Sequence, residues 1–403
     1  MTEIRIQKKE LLDTLLRLRR SFKSKYVHLP ICNYYCFQLE GTRMSVTVYD
    51  TDGMWTTEAV ELNGDAIAYD GEAPRHGWCV HKSIVSILKL LEDQEITMKV
   101  MDYQLVVVHK YGEFSVTTED ASVYPTNMVI DRWRKTADIH RLTVEAPGMR
   151  RWLETLRIAM SEDCLRPMMN GIAVKLSCGQ MALCASDGHL LACIHKNIDW
   201  NNDTTQIVIP KRAVDVLMEV IPATGMLDIS FNTYRRVGAL DEILGYATVD
   251  MKTDDGHTLQ LFFKQPQGVY PDFESVIPHS QTSSISVDRR MLVNALLRTE
   301  IFGDYARFAV SEKEIGITAD DGEFGSYDSS SENIPCEAVK ADGLPMIIRL
   351  NPTKAVKLLK RIKTEKVSIG LIDKTRPVIF CPEPQQEVES LTMLIMPMYS
   401  DED

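Results

Sequence analysis

SISVDRRMLVNALLR, residues 284–298, sets Ile285 and Val287 two apart and then spaces its apolar residues as a helix does. Side chains two apart share one face of a strand, while Leu292, Ala295 and Leu296 share one face of a helix. The stretch therefore reads as a strand that turns through polar residues into a helix. IRIQKKELLDTLLRL (4–18) and RLTVEAPGMRRWLETLR (141–157) repeat the phrase, with Ile4 and Ile6, then Leu142 and Val144, as the strand pairs. In the first copy Leu11, Leu15, Leu18 and Phe22 form the helix face. The second anchors Ile6, Val144 and Val287 lie 138 and 143 residues apart, about one domain per copy.

A second phrase falls midway through each copy: WCVHKSIVSILKLL (78–91), IVIPKRAVDVLMEV (207–220) and IIRLNPTKAVKLLKRI (347–362). Each is again a strand, a polar turn and a helix, with strand ends near Val80, Ile209 and Leu350. Alternating stretches such as MSVTVYD (44–50), QLVVVHK (104–110), GEFSVTT (112–118) and TLQLFFK (258–264) read as antiparallel strands between the helices. The expected fold class is α+β. Three similar domains are expected, 1–131, 138–279 and 282–403, each built of two strand–helix–strand halves. Linkers are expected at 130–140 and 276–284, and a frayed acidic tail at SDED.

At 403 residues the chain is long enough for several cores, and 44% hydrophobic with 25% charged residues is ordinary for a globular protein. No apolar run approaches membrane-spanning length, and MTEIRIQKKE lacks the apolar core of a signal peptide. The nine cysteines are scattered, the closest two being Cys32 and Cys36, with no CxxC pair. Reduced thiols in a cytoplasm are expected, rather than disulfides or a zinc site.

The net charge of −12 speaks against nucleic acid, but its distribution does not. Six windows around the helices (8–25, 80–92, 145–157, 209–222, 287–298 and 351–363) hold 22 Lys and Arg against 8 Asp and Glu; the rest of the chain holds 23 against 49. The basic residues are also aligned: Lys354, Lys357 and Arg361 share one face, as do Arg290, Asn294 and Arg298, and Arg17 lies near Arg20. One basic helix face is ordinarily a solvated surface. A repeated set inside an acidic protein is the footprint of phosphate-backbone binding without base reading. No aromatic-rich strand suggests stacking of single-stranded bases.

There is no GxxxxGK[ST] loop, HExxH or GxSxG motif. ADDGEFG (319–325) lacks calcium-loop spacing and reads as a turn. Ser186, Asp187 and His189 in ASDGHLLA (185–192) are the one catalytic candidate, a hydrolase acting on DNA. Residues so close along a chain rarely converge as a triad, and Asp-Gly is first a turn signal.

Several local motifs, taken with the repeats, resemble the bacterial DNA polymerase sliding clamp, the β subunit of the replicative polymerase. LRPMMNGIAV (165–174) resembles that family's Arg-Pro-x-x-Asn-Gly strand entry, and ASDGHLLA its Thr-Asp-Gly-His-Arg-Leu turn. IVIPKRAVDVL resembles its Ile-Pro-Arg-Lys segment. GVYPDFESVIP (268–278) resembles its Phe-Pro-Asp-Tyr motif, with SVYPTNM (122–128) a first-domain echo. LIMPMYS (394–400) resembles its Met-Pro-Met ending. Leu190 and Ser275 stand where the family usually has arginine, residues 233–256 make a longer connection, and YSDED extends past the usual end.

The resemblance implies a homodimer closed head to tail into a ring, with antiparallel sheets outside and basic helices lining the hole. It implies no catalysis, cofactor or metal. Phosphate contacts would come from Arg17, Arg20, Lys23, Lys25, Arg150, Arg151, Lys211, Arg212, Arg290, Arg298, Lys354, Lys357 and Arg361. A cleft for short peptides would be lined by Arg166, Met169, Ser186, Gly188, His189, Leu191, Pro271, Val276, Asn351, Leu394, Ile395, Met396, Pro397 and Met398; for Met169 and Ile395 plain core packing is the competing reading. Its occupants would be the polymerase catalytic subunit, the clamp loader, and repair and replication proteins. Ile301 and Phe302 would make the subunit contact. A single-strand binder that forms no ring is the remaining alternative.

Overall fold

The computed structural model describes residues 2–22, 29–51, 53–69, 76–125, 133, 139–232, 235–237, 241–243, 245–320, 329–386 and 388–398. Lys23, Lys25, the boundary between the first two expected domains, most of ADDGEFG and the terminal YSDED lie outside the described residues.

Six times the chain runs strand, helix, three strands. The first repeat is β1 (Thr2–Gln7), α1 (Lys8–Arg19), β2 (Tyr34–Glu40), β3 (Arg43–Asp50) and β4 (Met54–Glu61), followed by a short β5 (Ile67–Tyr69). The second is β6 (His76–His81), α2 (Ile84–Leu88), β7 (Glu95–Met101), β8 (Gln104–His109) and β9 (Gly112–Asp120). The third is β10 (His140–Glu145), α3 (Ala146–Leu156), β11 (Gly171–Ser177), β12 (Gln180–Ser186) and β13 (Leu190–Asn197). The fourth opens with β14 (Thr205–Pro210), α4 (Lys211–Val220) and β15 (Met226–Phe231). A small hairpin, β16 (Arg235–Val237) with β17 (Asp241–Ile243), interrupts it before β18 (Tyr246–Lys252) and β19 (Thr258–Lys264). The fifth is β20 (Ser283–Asp288), α5 (Arg289–Thr299), β21 (Ala306–Val310), β22 (Glu314–Asp320) and β23 (Ser329–Ala341). The sixth is β24 (Met346–Leu350), α6 (Pro352–Leu359), β25 (Lys366–Leu371), β26 (Val378–Glu383) and β27 (Glu389–Ile395).

In the sixth repeat the helix α6 spans Pro352–Leu359, with Pro352 in its first turn, where the missing N–H costs nothing, and the Asn351 side chain accepting the Lys354 N–H at 2.8 Å. Asp288 caps α5 in the same way through the Met291 N–H, also at 2.8 Å.

One pairing rule joins consecutive repeats. The opening strand of each pairs antiparallel with the strand after the helix of the other: β1 with β7 and β6 with β2, β10 with β15 and β14 with β11, β20 with β25 and β24 with β21. Closing strands then pair across repeats. β4 pairs with β19, Trp55 facing Phe262, and β13 pairs with β27, Leu191 facing Leu394.

By packing, the chain forms two compact units, Met1–Arg150 with Arg212–Gln265 and Arg151–Lys211 with Pro266–Asp403. The first holds a sheet of thirteen strands and the second a sheet of twelve. In the first unit, Leu11, Leu15 and Leu18 of α1 and Ile84, Val85 and Leu88 of α2 pack on one sheet face with Ile4, Ile6, Tyr35 and Phe37. These are the residues the two periodicities select. The Tyr35 hydroxyl donates to the Leu15 carbonyl at 2.8 Å, so the ring's polar end is satisfied inside the core. On the other sheet face, Tyr124 covers Cys36 and Cys79. In the second unit, Tyr270 and Phe273 cover Cys184, Cys193, Leu191 and Leu394. No helix among the described residues is long and apolar enough to cross a membrane.

Leu15 is fully buried at the centre of the first core. Leu15→Ala is expected to lower the unfolding free energy by about 2–5 kcal/mol, because it leaves a cavity as well as losing buried area. A urea titration followed by circular dichroism measures the loss; a midpoint equal to the parent's would place Leu15 outside the core.

Candidate nucleic-acid interface and partner cleft

The helices carry the basic residues at the expected positions, but folding brings carboxylates to many of them. Arg17 donates through Nε to Glu58 at 3.0 Å and through Nη2 to Asp255 at 2.8 Å. Glu58 is fully buried and also takes the Thr14 hydroxyl at 2.8 Å, with His257 Nδ1 at 2.9 Å. Arg212 donates through Nε to buried Asp50 at 3.0 Å and through Nη2 to the carbonyls of Arg20 and Phe22. Arg150 donates to the carbonyls of Met218 and Ile221, at the end of α4. These three were expected to face phosphate. Their forks are instead filled by protein acceptors, and they brace the first unit. A buried carboxylate stripped of such a partner costs several kcal/mol, so this role holds Arg17 and Arg212 in place.

A second set forms ion pairs at the surface. Arg20 pairs with Glu219, Arg151 with Glu389, Lys211 with Glu162, Arg298 with Glu332, and Lys354 with Asp187 at 3.7 Å. The Arg298 hydrogen bond holds the Glu332 carboxyl below its ordinary range, and Lys211 does the same for Glu162. Exposed pairs of this kind are screened by water and salt and contribute little, so a phosphate can displace the carboxylate. Arg290 and Lys357 are exposed and Arg361 half-exposed, and among the described residues no hydrogen bond or ion pair engages their side chains. Sequence reasoning missed the neutralising carboxylates because they lie far along the chain: Glu58 is 41 residues from Arg17, and Glu389 is 238 from Arg151.

The cleft residues come from separate stretches that the second unit gathers. β12 and β13 are joined by a turn in which Gly188 has φ +91°, the left-handed region that glycine enters at no steric cost. Asp187 accepts the backbone N–H groups of His189 at 2.8 Å and Leu190 at 2.6 Å; the Ser186 hydroxyl donates to the Leu190 carbonyl at 2.8 Å. Ser186 and Asp187 therefore spend their oxygens on the turn, and His189 is exposed. This is turn chemistry, without the nucleophile–base hydrogen bond that a hydrolase centre requires.

Past β27, the Met396 N–H donates to the His189 carbonyl and the Met398 N–H to the Arg349 carbonyl, both at 2.9 Å. Pro397 is buried between them, while Met396 and Met398 are 38% and 43% exposed. The segment 268–277 crosses nearby, with Tyr270 and Phe273 buried against Leu191 and Leu394, and with Pro271 and Val276 exposed. The Arg166 guanidinium lies beside Gly188, and Asn351 caps α6. Leu191 and Leu394 are thus buried beneath this surface, and Arg166, His189, Pro271, Val276, Met396 and Met398 remain exposed on it. Met169 and Ile395 are buried, as the competing core reading has it, with Ile395 facing Leu190 and Val378 within the sheet. Leu165 and Val269, both strongly exposed, lie inside two of the quoted motifs but were not among the expected cleft residues; a motif does not say which of its side chains faces outward.

The first unit has an equivalent junction. There the Lys264 N–H donates to the Gly53 carbonyl at 3.0 Å, just as Met396 does to His189. Tyr124 takes the place of Tyr270, and Trp55 Nε1 donates to the Pro125 carbonyl at 2.8 Å. Trp133 packs on Phe262 with ring centres 5.4 Å apart, and its Nε1 donates to Asn232 at 2.8 Å.

Two family models match the chain: one described as the DNA polymerase III beta subunit, central domain, over residues 143–249, and one described as its C-terminal domain, over residues 274–399. The beta sliding clamp of Haemophilus influenzae is 21% identical over 92% of this chain and 93% of its own length; that of Synechococcus elongatus is 23% identical over 96% and 97%. A crystal structure of the Pseudomonas aeruginosa sliding clamp bound to griselimycin superposes with a TM-score of 0.82 at 20% identity, covering 99% of this chain and all of that one. The matched domains, which take in more than half the chain, together with relatives and a fold that run nearly its whole length, place it in the DNA polymerase III beta-subunit family: it is a DNA sliding clamp, a non-catalytic processivity factor of DNA replication.

Proposed function

We propose that two copies of the chain close head to tail into a ring around double-stranded DNA, each copy contributing three domains, 1–131, 138–279 and 282–403. The observation that carries this reading is a pattern of strand edges. The strand closing the first repeat pairs with that closing the fourth, and the strand closing the third with that closing the sixth. The same rule would pair the strand closing the fifth, β23, with that closing the second, β9. Residues 329–335 of β23 pair only with β22, and residues 112–117 of β9 only with β8, among the described residues. An unpaired edge is a template for another chain. Joining β23 of one copy to β9 of the other uses both edges and closes at two copies. The same two repeats carry exposed apolar side chains, Ile301 (77% exposed) with half-buried Phe302 after α5 and Leu90 (86% exposed) after α2, and half-buried Phe114 and Val116 lie on β9 itself.

The helices would face the DNA. Arg290, Lys357 and Arg361 are its first phosphate contacts, and Arg20, Arg151, Lys211, Arg298 and Lys354 join by exchanging carboxylate for phosphate; Lys23 and Lys25 stay candidates from their sequence positions. Such contacts carry no base information, so the ring slides, and closure rather than affinity retains it. The cleft of the second unit would receive short peptides from the polymerase catalytic subunit, the clamp loader, and repair and replication proteins. Methionine at its rim suits several ligands in turn. Each buried Leu or Phe anchor contributes roughly 1.5–3 kcal/mol, enough for exchangeable binding. A partner of chromosomal DNA in a bacterium works in the cytoplasm, and no membrane partner is implied.

Ile301→Ala with Phe302→Ala is expected to move the dimer to monomer without unfolding, since Ile301 supports no core of its own. Sedimentation velocity at low concentration reads this, and an unchanged dimer mass would misplace the interface. DNA binding should weaken linearly in log salt with a slope of about −0.9 per phosphate neutralised. Lys357→Ala with Arg361→Ala should flatten that slope by about one unit per contact, equally on unrelated sequences; a change in sequence preference would contradict sliding. Ending the chain after Ile395, which spares the buried strand, should abolish binding of a Leu- and Phe-bearing peptide while the dimer persists. Native peptide affinity in that truncation would move the pocket elsewhere.

A further inference from the structure

A group of side chains beneath the 268–277 segment takes no part in the contacts proposed above. Cys184 on β12 and Cys193 on β13 sit directly opposite each other. At the turn the Asp187 N–H donates to the Leu190 carbonyl, so 187–190 is a hydrogen-bonded couple. Couples alternate along an antiparallel ladder, which makes 184–193 a non-hydrogen-bonded one. Facing Cα atoms there lie about 4.5 Å apart, inside the roughly 4.4–6.8 Å range of a disulfide. Both thiols are free and buried. His195, on the same strand face as Cys193, has both ring nitrogens 3.8 Å from its Sγ. Hydrogen bonds from Cys184 and then His195 hold the Cys193 thiol below its ordinary range, against the effect of burial.

The first unit contains an internal comparison. Cys36 and Cys79 also face each other, and counting from the Lys82 N–H to Asn33 carbonyl bond makes that couple non-hydrogen-bonded too. Here, however, His81 turns its Nδ1 to the Ser83 hydroxyl at 2.9 Å, and the hydrogen bond with Cys79, together with burial, pushes the Cys36 thiol up. The two couples share backbone geometry and differ in the base.

We propose that Cys184 and Cys193 form a reversible dithiol–disulfide site, oxidised by hydrogen peroxide with His195 as the proton acceptor, and that closing the disulfide weakens peptide binding at the cleft. His195 takes the Cys193 proton, and the thiolate attacks one peroxide oxygen. The O–O bond breaks, leaving a sulfenic acid on Cys193 and a hydroxide that the imidazolium protonates to water. The Cys184 sulfur then attacks Cys193, the S–S bond forms, and the hydroxyl leaves with the Cys184 proton as a second water. Two thiols lose two electrons and two protons, and peroxide gains them. A dithiol reductant reverses the step. The effect on the cleft rests on the peptide site proposed above. Cys184 and Cys193 pack in one cluster with Tyr270, Phe273, Leu191 and Leu394, so drawing the two sulfurs together shifts the bed under Pro271 and under the end of β27.

The test oxidises the full-length reduced protein with hydrogen peroxide, alkylates the remaining thiols, and maps the products by mass spectrometry. A peptide pair joined through Cys184 and Cys193, lighter by two hydrogens, is expected, with Cys36 and Cys79 still alkylated. Cys184→Ser should stop at a sulfenic acid on Cys193 that dimedone traps, and His195→Gln should slow the reaction. Recovery of Cys184 and Cys193 as separate alkylated peptides, under conditions that oxidise exposed Cys164 and Cys178, overturns the site. Fluorescence anisotropy with a Leu- and Phe-bearing peptide reads the second half. Affinity should fall about five- to tenfold on oxidation, the low end of ordinary coupling between sites, and should not change in the Cys184→Ser, Cys193→Ser double variant. Equal affinity before and after the disulfide forms overturns the coupling. Failure of the reduced protein to bind the peptide at all counts against the cleft and leaves the mapped disulfide standing.

Discussion

The pairing of strand edges is the constraint on which the rest of this structure depends. Each residue of an extended strand brings an N–H and a C=O that must find partners. Each repeat ends in a strand with one side open, and the chain covers β4 with β19 and β13 with β27. This explains why its packing units ignore its repeats. The division falls inside α3 and at the start of α4, because the third repeat shares a sheet with the sixth and the fourth with the first. Continuity of hydrogen bonding decides what packs with what, and the helices follow.

Charge is arranged on top of that frame. The chain is acidic overall, yet its helices are basic, and folding returns carboxylates from strands, loops and neighbouring helices to some of them. Where the carboxylate is buried, as in Glu58 and Asp50, it fixes its arginine. Where it is exposed, as in Glu219 and Glu162, water and salt screen the pair and the cation stays exchangeable. A surface assembled this way keeps its positive side chains oriented without making them sticky, which suits a contact that must move along a phosphate backbone.

The strand-to-helix phrases were legible because each period states which face is buried. Ile4, Ile6, Leu11, Leu15 and Leu18 fill the core as their spacing requires, and Gly188 turns where Asp-Gly signals a turn. The helix end at Leu88, short of the apolar run to Leu91, was not legible, since apolarity alone sets no boundary. Arg17 and Arg212 look like any basic residue on a helix; their partners arrive from distant strands, and only the folded sheet brings them. Met169 and Ile395 show the same limit at the cleft. A motif marks a neighbourhood, and the direction of each side chain within it depends on the pairing register, which buries Ile395 and leaves Met396 half open.

The two junctions within the chain show how a repeated fold can leave apolar ground open at one place and close it at another. Both have a strand end hydrogen-bonded to a turn carbonyl, Lys264 to Gly53 and Met396 to His189, and both have a Tyr-Pro segment laid over the sheet. At the first, Trp133 is buried against Trp55 and Phe262 and hydrogen-bonded to Asn232, so the chain's own side chain occupies the apolar ground. At the second, the corresponding ground is floored by Leu191 and Leu394 and rimmed by exposed Val276, Met396 and Met398. Exposed apolar groups gathered in this way are costly unless something covers them part of the time. The same backbone device is therefore closed where the chain supplies its own aromatic anchor, and open where the proposed peptide would supply one.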